Sequence, residues 1–265
     1  MECWNIGIKF TQYSSDPLFH HSNCKGNELY SNIVRKQPDH IIHFENVSFA
    51  YPGDKVLFRK LSLGIAPGTF YHVKGPSGSG KSTLLRLIIR LEEPTQGCIL
   101  FNGAPLADTY PPHLRRAILY LPQTPVAIDG SVREYLLLPF TFKANQDLQK
   151  PDDSQLMERL KAFLLNDIHL NDHAQTLSVG QLQRLCFIRG MLLSPAVLLL
   201  DEPTSSLDKQ SAAIVIDHIE KLCKTSSLAI LMVSHEGVLP GSLKFRSLMV
   251  ADSKVSEIFG IQEFT

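Results

Sequence analysis

The sequence predicts an α/β fold built on a mostly parallel β-sheet, with an antiparallel β part near its N-terminal end and a helical part inserted later. Three observations carry this. Short β-rich runs recur along the chain, helical candidates lie between many of them, and one run ends in a glycine-rich loop that opens into a helical pattern. "IIHFENVSFAY" (41–51) alternates as a strand does, and "PGD" (52–54) follows as a turn signal. "TFYHVKG" (69–75) is the strand that runs into the loop. "KSTLLRLIIRLEE" (81–93) has apolar residues at helical spacing and is stopped by Pro94. Further strand candidates are "CILF" (98–101), "AILYL" (117–121), "AVLLLD" (196–201), "LAILMVS" (228–234) and "RSLMVA" (246–251). Residues 124–176 carry little strand signal, "DDSQLMERLKAFLL" (152–165) reads as a helix, and the helical part spans about 124–190.

Composition narrows the classes. At 265 residues and 44% hydrophobic, the chain can bury a full core as one large domain or two small ones. Lys plus Arg equals Asp plus Glu at 26 each, which argues against a nucleic-acid-binding body. The five cysteines (Cys3, Cys24, Cys98, Cys186 and Cys223) are scattered, without a C-x-x-C pair, as expected in a reducing compartment. No apolar run approaches the ~20 residues of a membrane span. The longest, "AVLLL" (196–200), is strand-sized, and "MECWNIGIKF" lacks the marks of a secretory signal. The expectation is a cytoplasmic chain. Residues 1–38 are polar and aperiodic and read as an extension, a candidate disordered segment, with the main domain at 39–265. His20, His21 and Cys24 could ligate a metal, but no second ligand cluster has recognisable spacing, so a loose tail is favoured. His169 and His173 are spaced i,i+4, yet "HLNDH" is poor helix sequence and reads as a solvated loop.

"GPSGSGKST" (75–83) fits G-x-x-x-x-G-K-[S/T] between a strand and a helix. Gly75, Pro76, Ser77, Gly78, Ser79 and Gly80 form a loop that can curl its N–H groups onto phosphate oxygens, and the helix after it adds its positive end. Lys81 supplies a point charge to the β and γ phosphates, Ser82 offers a hydroxyl to Mg²⁺, and Thr83 closes the motif. "VLLLDEP" (197–203) is its companion. Asp201 ends a buried apolar strand where it could hold Mg²⁺ through water, and Glu202 is the candidate general base.

With these residues the chain resembles the nucleotide-binding subunit of an ATP-binding-cassette (ABC) transporter, a P-loop NTPase, over roughly residues 40–258. The resemblance implies ATP and Mg²⁺ as cofactors and gives roles to further residues. Tyr51 in "FAYPG", 24 residues before the loop, matches the aromatic that stacks on adenine. Gln123 in "YLPQ" matches the glutamine that touches Mg²⁺ and water and senses the membrane partner. "LSVGQ" (177–181) resembles the family signature, with Ser178, Gly180 and Gln181 as its phosphate-facing residues. Asp208 in "SSLD" matches the subunit-contact loop, and His235 in "VSH" the switch histidine at the γ-phosphate. The signature usually has two glycines after its serine, and here Val179 replaces the first. A β-branched residue is uncomfortable at positive φ, so Val179 puts the turnover rate in doubt.

"SVGQLQRLCFIRGMLL" (178–193) reads as a helix whose start is a second anion site. In the family that site serves the ATP held by the other subunit. The resemblance therefore implies a homodimer with two composite sites, joined to an integral membrane permease, on the inner face of the membrane and without nucleic acid. "QTPVAIDGSVREYLLLPF" (123–140) resembles small stand-alone cassettes linked to iron export and metal-stress resistance. Importers, lipid exporters, soluble relatives acting on DNA or ribosomes, and a non-hydrolysing regulatory cassette are the competing readings. Against the DNA-repair relatives stands the interval between loop and signature, which is under about a hundred residues and shows no heptads.

Overall fold

The computed structural model describes residues 39–53, 56–205, 207–234 and 245–258. The predicted extension and His20, His21, Cys24 and His235 lie outside them. Two sheets organise the chain. The first is antiparallel, in the order β2 (Val56–Ile65), β1 (Ile42–Ala50), β4 (Gln96–Phe101), β5 (Ala104–Pro105). The second runs β10 (Lys254–Ile258), β9 (Arg246–Ala251), β3 (Phe70–Lys74), β8 (Ala229–Val233), β7 (Val197–Asp201), β6 (Ile118–Leu121). Its neighbours are parallel except for the β9–β10 hairpin. The α/β class with an antiparallel part is therefore correct. The strands β2, β5 and β10 escaped the sequence pattern. β2 pairs with β1 through a register broken between Phe44 and Ala50, and such irregularity blurs a period of two.

The central strands are covered on both faces. Every residue of β7 and β8 is buried, which explains their unbroken apolar runs. Alternate residues enter different cores. Val197 and Leu199 join a cluster that includes Leu84, Leu85, Leu87 and Ile88 of α1 (Lys81–Ile88). Leu198 and Leu200 join one that includes Leu182, Leu185, Phe187 and Ile188 of α5 (Val179–Met191). Helices α1 and α5 thus lie on opposite faces of the same sheet.

α1 is shorter than its pattern. Arg90 takes a left-handed φ of 54°, and its guanidinium donates to the carbonyls of Leu106, Ala107 and Thr109 at 3.0–3.1 Å, which pulls the chain out of the helix. Between β6 and β7 lie α3 (Val132–Leu137), α4 (Asp153–Ala162) and α5, following α2 (Pro111–Ala117) earlier in the chain. Ser131, Asp152 and Ser178 each close a capping box at the start of α3, α4 and α5. α6 (Lys209–Thr225) is capped by Asp208, whose carboxylate accepts from the N–H groups of Gln210 and Ser211. His169 and His173 lie outside any helix, His173 in an isolated β-bridge with Ser131, and His173 Nε2 sits 3.1 Å from Asp129 Oδ1.

Arg184 of α5 joins these helices. It is 9% exposed and donates to the carbonyls of Phe163 and Leu164, at the end of α4, at 2.8 and 3.2 Å. Phe163 in turn stacks on His218 of α6 at 3.8 Å. Burial holds the Arg184 guanidinium below its ordinary pKa. Arg184→Met keeps the stem and removes the donors, leaving buried carbonyls unpaired. It is expected to lower unfolding free energy by about 1–3 kcal/mol in urea titration.

Candidate functional site

The phosphate loop connects β3 to α1 at the C-terminal end of the parallel sheet. Its glycines are required by space. A Cβ on Gly75, at φ 151°, would stand 2.2 Å from the Val250 carbonyl oxygen. Gly80 caps α1 at φ 104°, where a Cβ would meet Phe58 at 3.1 Å. Lys81 Nζ donates to the Gly75 and Pro76 carbonyls, each at 2.9 Å. Ser79 Oγ is buried in this loop and has no hydrogen-bond partner. A phosphate oxygen is the acceptor such a hydroxyl lacks, so the loop fits a nucleotide.

Beside the loop, Ser82 Oγ donates to Asp201 Oδ1 at 2.9 Å, and Tyr120 Oη donates to Asp201 Oδ2 at 2.9 Å. Asp201 is 6% exposed. A hydroxyl and a carboxylate form the hard oxygen set that suits Mg²⁺. Burial first, and then the Asp201 charge, push the Tyr120 phenol up to about 12, so it stays a donor.

Glu202 follows with φ 49°, in the left-handed region that a non-glycine residue seldom occupies. Its N–H donates to the Val233 carbonyl at 2.9 Å, and its carbonyl accepts from Ser205 N at 3.2 Å and Ser205 Oγ at 3.1 Å. These bonds hold the turn that projects Glu202 from the end of β7. Gln123 Nε2 donates to Glu202 Oε2 at 2.9 Å, so the two predicted residues meet. Tyr51 reaches the loop as well. Its hydroxyl lies 3.3 Å from Thr83 Oγ1 and donates to Glu92 Oε1 at 3.2 Å, and its ring packs edge-on against Phe49.

The second anion site expected from the sequence falls at the start of α5. Ser178 N-caps this helix, its hydroxyl accepting from Gln181 N at 3.3 Å while Gln181 Oε1 accepts from Ser178 N at 2.9 Å. The expectation about Val179 is corrected here. Val179 is the first helical residue, at ordinary helical φ, so its branched side chain carries no backbone strain, and it is 54% exposed. Gly180 has Leu207 as its near neighbour, next to Asp208. Ser178 as N-cap, with Gly180 and Gln181 in the first turn, stands at the start of α5, whose buried side chains pack on the face of the sheet opposite to α1.

Two residues that contact the predicted site carried no usable sequence signal. Tyr120 and Glu92 look like a strand aromatic and a helix-surface charge. Only the parallel pairing of β6 with β7 brings Tyr120 to Asp201.

The ABC transporter family model matches residues 58–205. The chain belongs to the ABC transporter family. Within it, this chain is an ATP-binding domain. The probable iron export ATP-binding protein FetA of Escherichia coli (strain K12) is 33% identical over 196 residues, covering 74% of this chain and 85% of FetA. ABC multidrug transporter E of Aspergillus fumigatus is 37% identical over 206 residues, but that match spans only 16% of its length. Among solved structures, an ATP-binding subunit of an ABC transporter aligns with TM-score 0.71 at 24% identity, covering 82% of this chain and 89% of that one. An ATP-bound bacterial Atm1-family exporter aligns with TM-score 0.70 at 23% identity, over 81% of this chain and 38% of that one. These two likenesses share the fold. No helix among the described residues is long and apolar enough to cross a membrane.

The Ser211 hydroxyl and N–H hold the Asp208 carboxyl below its ordinary pKa. A depressed carboxylate stabilises the fold above its unfolded value, about 3.9, and loses that contribution as pH falls through the folded value. Asparagine caps helices about as well without titrating. Asp208→Asn is expected to keep the wild-type melting temperature at pH 7 and to show a shallower loss of it between pH 5 and 2, followed by circular dichroism.

Proposed function

We propose that this chain is the ATP-binding and ATP-hydrolysing subunit of a transporter, working as a head-to-tail homodimer beneath a separate membrane permease on the cytoplasmic face. The observation that carries this is the convergence of two pairs, Ser82 with Asp201 and Gln123 with Glu202, beside a phosphate loop whose Ser79 hydroxyl lacks an acceptor.

Each residue then has a task. Lys81, satisfied by two loop carbonyls, exchanges them for the β and γ phosphates of ATP. Ser82 and Asp201 would hold Mg²⁺, which would neutralise phosphate charge when bound. Glu202 accepts the proton of the attacking water, and Gln123 orients the Glu202 carboxylate through its amide. Tyr51 stacks on adenine once its hydroxyl lets go of Thr83 and Glu92. Ser178, Gly180 and Gln181 present the start of α5 to the γ-phosphate of the partner's ATP, with Asp208 at the subunit contact, and His235 is the switch histidine at the γ-phosphate. Val179 at the first helical position leaves that N-terminus intact, so it does not argue for a non-hydrolysing cassette. Loss of the γ-phosphate removes the tie between subunits, and the helical segment passes the motion to the permease near Gln123.

For cargo, metal-ion export, iron in particular, is the best-supported reading. It rests on the likeness of residues 123–140 to metal-export cassettes and on the 85% coverage of FetA. The balanced charge stands against the DNA or ribosome alternative.

Glu202→Gln keeps the Gln123 contact and removes the base. It is expected to cut ATPase turnover by about a hundredfold or more and to elute as an ATP-dependent dimer in size-exclusion chromatography. A variant that stays monomeric and hydrolyses ATP at the wild-type rate would overturn the reading. Purification of the tagged chain from detergent-solubilised native membranes is expected to recover a multi-span protein at equal stoichiometry, identified by mass spectrometry. Recovery with ribosomes or nucleic acid would replace transport by the soluble alternative.

A further inference from the structure

Asp201 is a buried carboxylate whose two oxygens are both committed. Oδ1 accepts from Ser82, whose hydroxyl oxygen keeps a lone pair for a cation. Oδ2 accepts from Tyr120, a residue of a different strand that touches no part of the phosphate loop through a hydrogen bond of its own. The two bonds together fix the plane of the carboxylate. Without the phenol, Oδ2 would be buried without a donor, and the group could turn about its Cβ–Cγ bond or recruit Ser82 to both oxygens. Beside Tyr120 lies Arg86 on α1, whose guanidinium is near enough to interact with the Tyr120 and Tyr51 hydroxyls. Arg86 is exposed, so it can serve this purpose without filling the core.

We propose that Tyr120 is a positioning residue for the metal-holding carboxylate: its hydroxyl clamps Asp201 Oδ2 so that Oδ1 and the Ser82 hydroxyl share one divalent cation, and Arg86 holds the phenol from behind. This rests on the reading of the site as an Mg²⁺–ATP site. Its particular content is that a residue three positions before Gln123, on the edge strand of the sheet, sets the affinity for the cation while leaving the affinity for the nucleotide alone.

The test is a Mn²⁺ titration of the full chain with a non-hydrolysable ATP analogue, followed by electron paramagnetic resonance. In Tyr120→Phe the Mn²⁺ dissociation constant is expected to rise about tenfold, the effect of removing a group that orients a metal ligand. Analogue binding in EDTA is expected to stay within about twofold of wild type, since no phosphate contact is lost. Arg86→Leu, on the exposed side of α1, keeps the test open if Tyr120→Phe folds poorly, and is expected to raise the Mn²⁺ constant about threefold. An unchanged Mn²⁺ constant in a folded Tyr120→Phe chain would overturn the proposal, as would equal losses of cation and metal-free analogue binding. A wild-type chain that binds neither analogue nor Mn²⁺ overturns the Mg²⁺–ATP reading itself, which separates the two failures.

Discussion

The site depends on one buried charge, the carboxylate of Asp201 at the end of an otherwise apolar strand. The four residues before it are wholly buried, which is what a strand covered on both faces demands. A carboxylate in that position is costly unless donors surround it. The fold meets the requirement from two directions, with Ser82 from the start of α1 and Tyr120 from β6. Both donors arrive only if β6, β7 and α1 are in register, so the chemistry and the sheet topology are a single constraint. Glu202 is part of it. Its left-handed turn is strained, and the bonds to Val233 and Ser205 over-determine it.

Most of this was readable in the chain because the readable signals are local. A strand of five apolar residues, a glycine loop that no Cβ could enter and a helix with apolar residues every three or four positions each announce themselves within ten residues. The phosphate loop, the acidic strand end and the start of α5 were legible as local patterns for that reason. What was not readable depends on long-range pairing. β2 is hidden by register breaks against β1, and β10 by its even mixture of exposed residues at a sheet edge. The end of α1 was misjudged because Arg90 leaves the helix to reach carbonyls sixteen to nineteen residues away. Tyr120 was invisible as a functional residue because its partner is 81 positions distant.

Val179 shows a different kind of gap. A sequence comparison marks the loss of a glycine and infers lost backbone freedom. The position is the first residue of α5, where φ is helical and a branched side chain is allowed. What the substitution changes is the surface beside the helix start. A half-exposed branched side chain stands where the family has only backbone. Its effect is then on the fit of whatever docks there, and not on the geometry of the cap, which Ser178 and Gln181 maintain by themselves.

The two helix starts support the proposed pairing of two chains. α1 packs into the core on one face of the sheet and α5 into the core on the other, as the alternation of Val197, Leu198, Leu199 and Leu200 requires. The capping box uses the Gln181 N–H of α5 and leaves the earlier N–H groups of that helix for an outside acceptor. One phosphate cannot be gripped by helix starts on opposite sides of a close-packed sheet. On the proposed reading each chain therefore brings a complete loop and a complete signature that do not serve each other. A head-to-tail pair related by a two-fold axis satisfies all four with two nucleotides. The ATP between them becomes part of the interface, so its cleavage loosens the contact that a purely protein interface would keep.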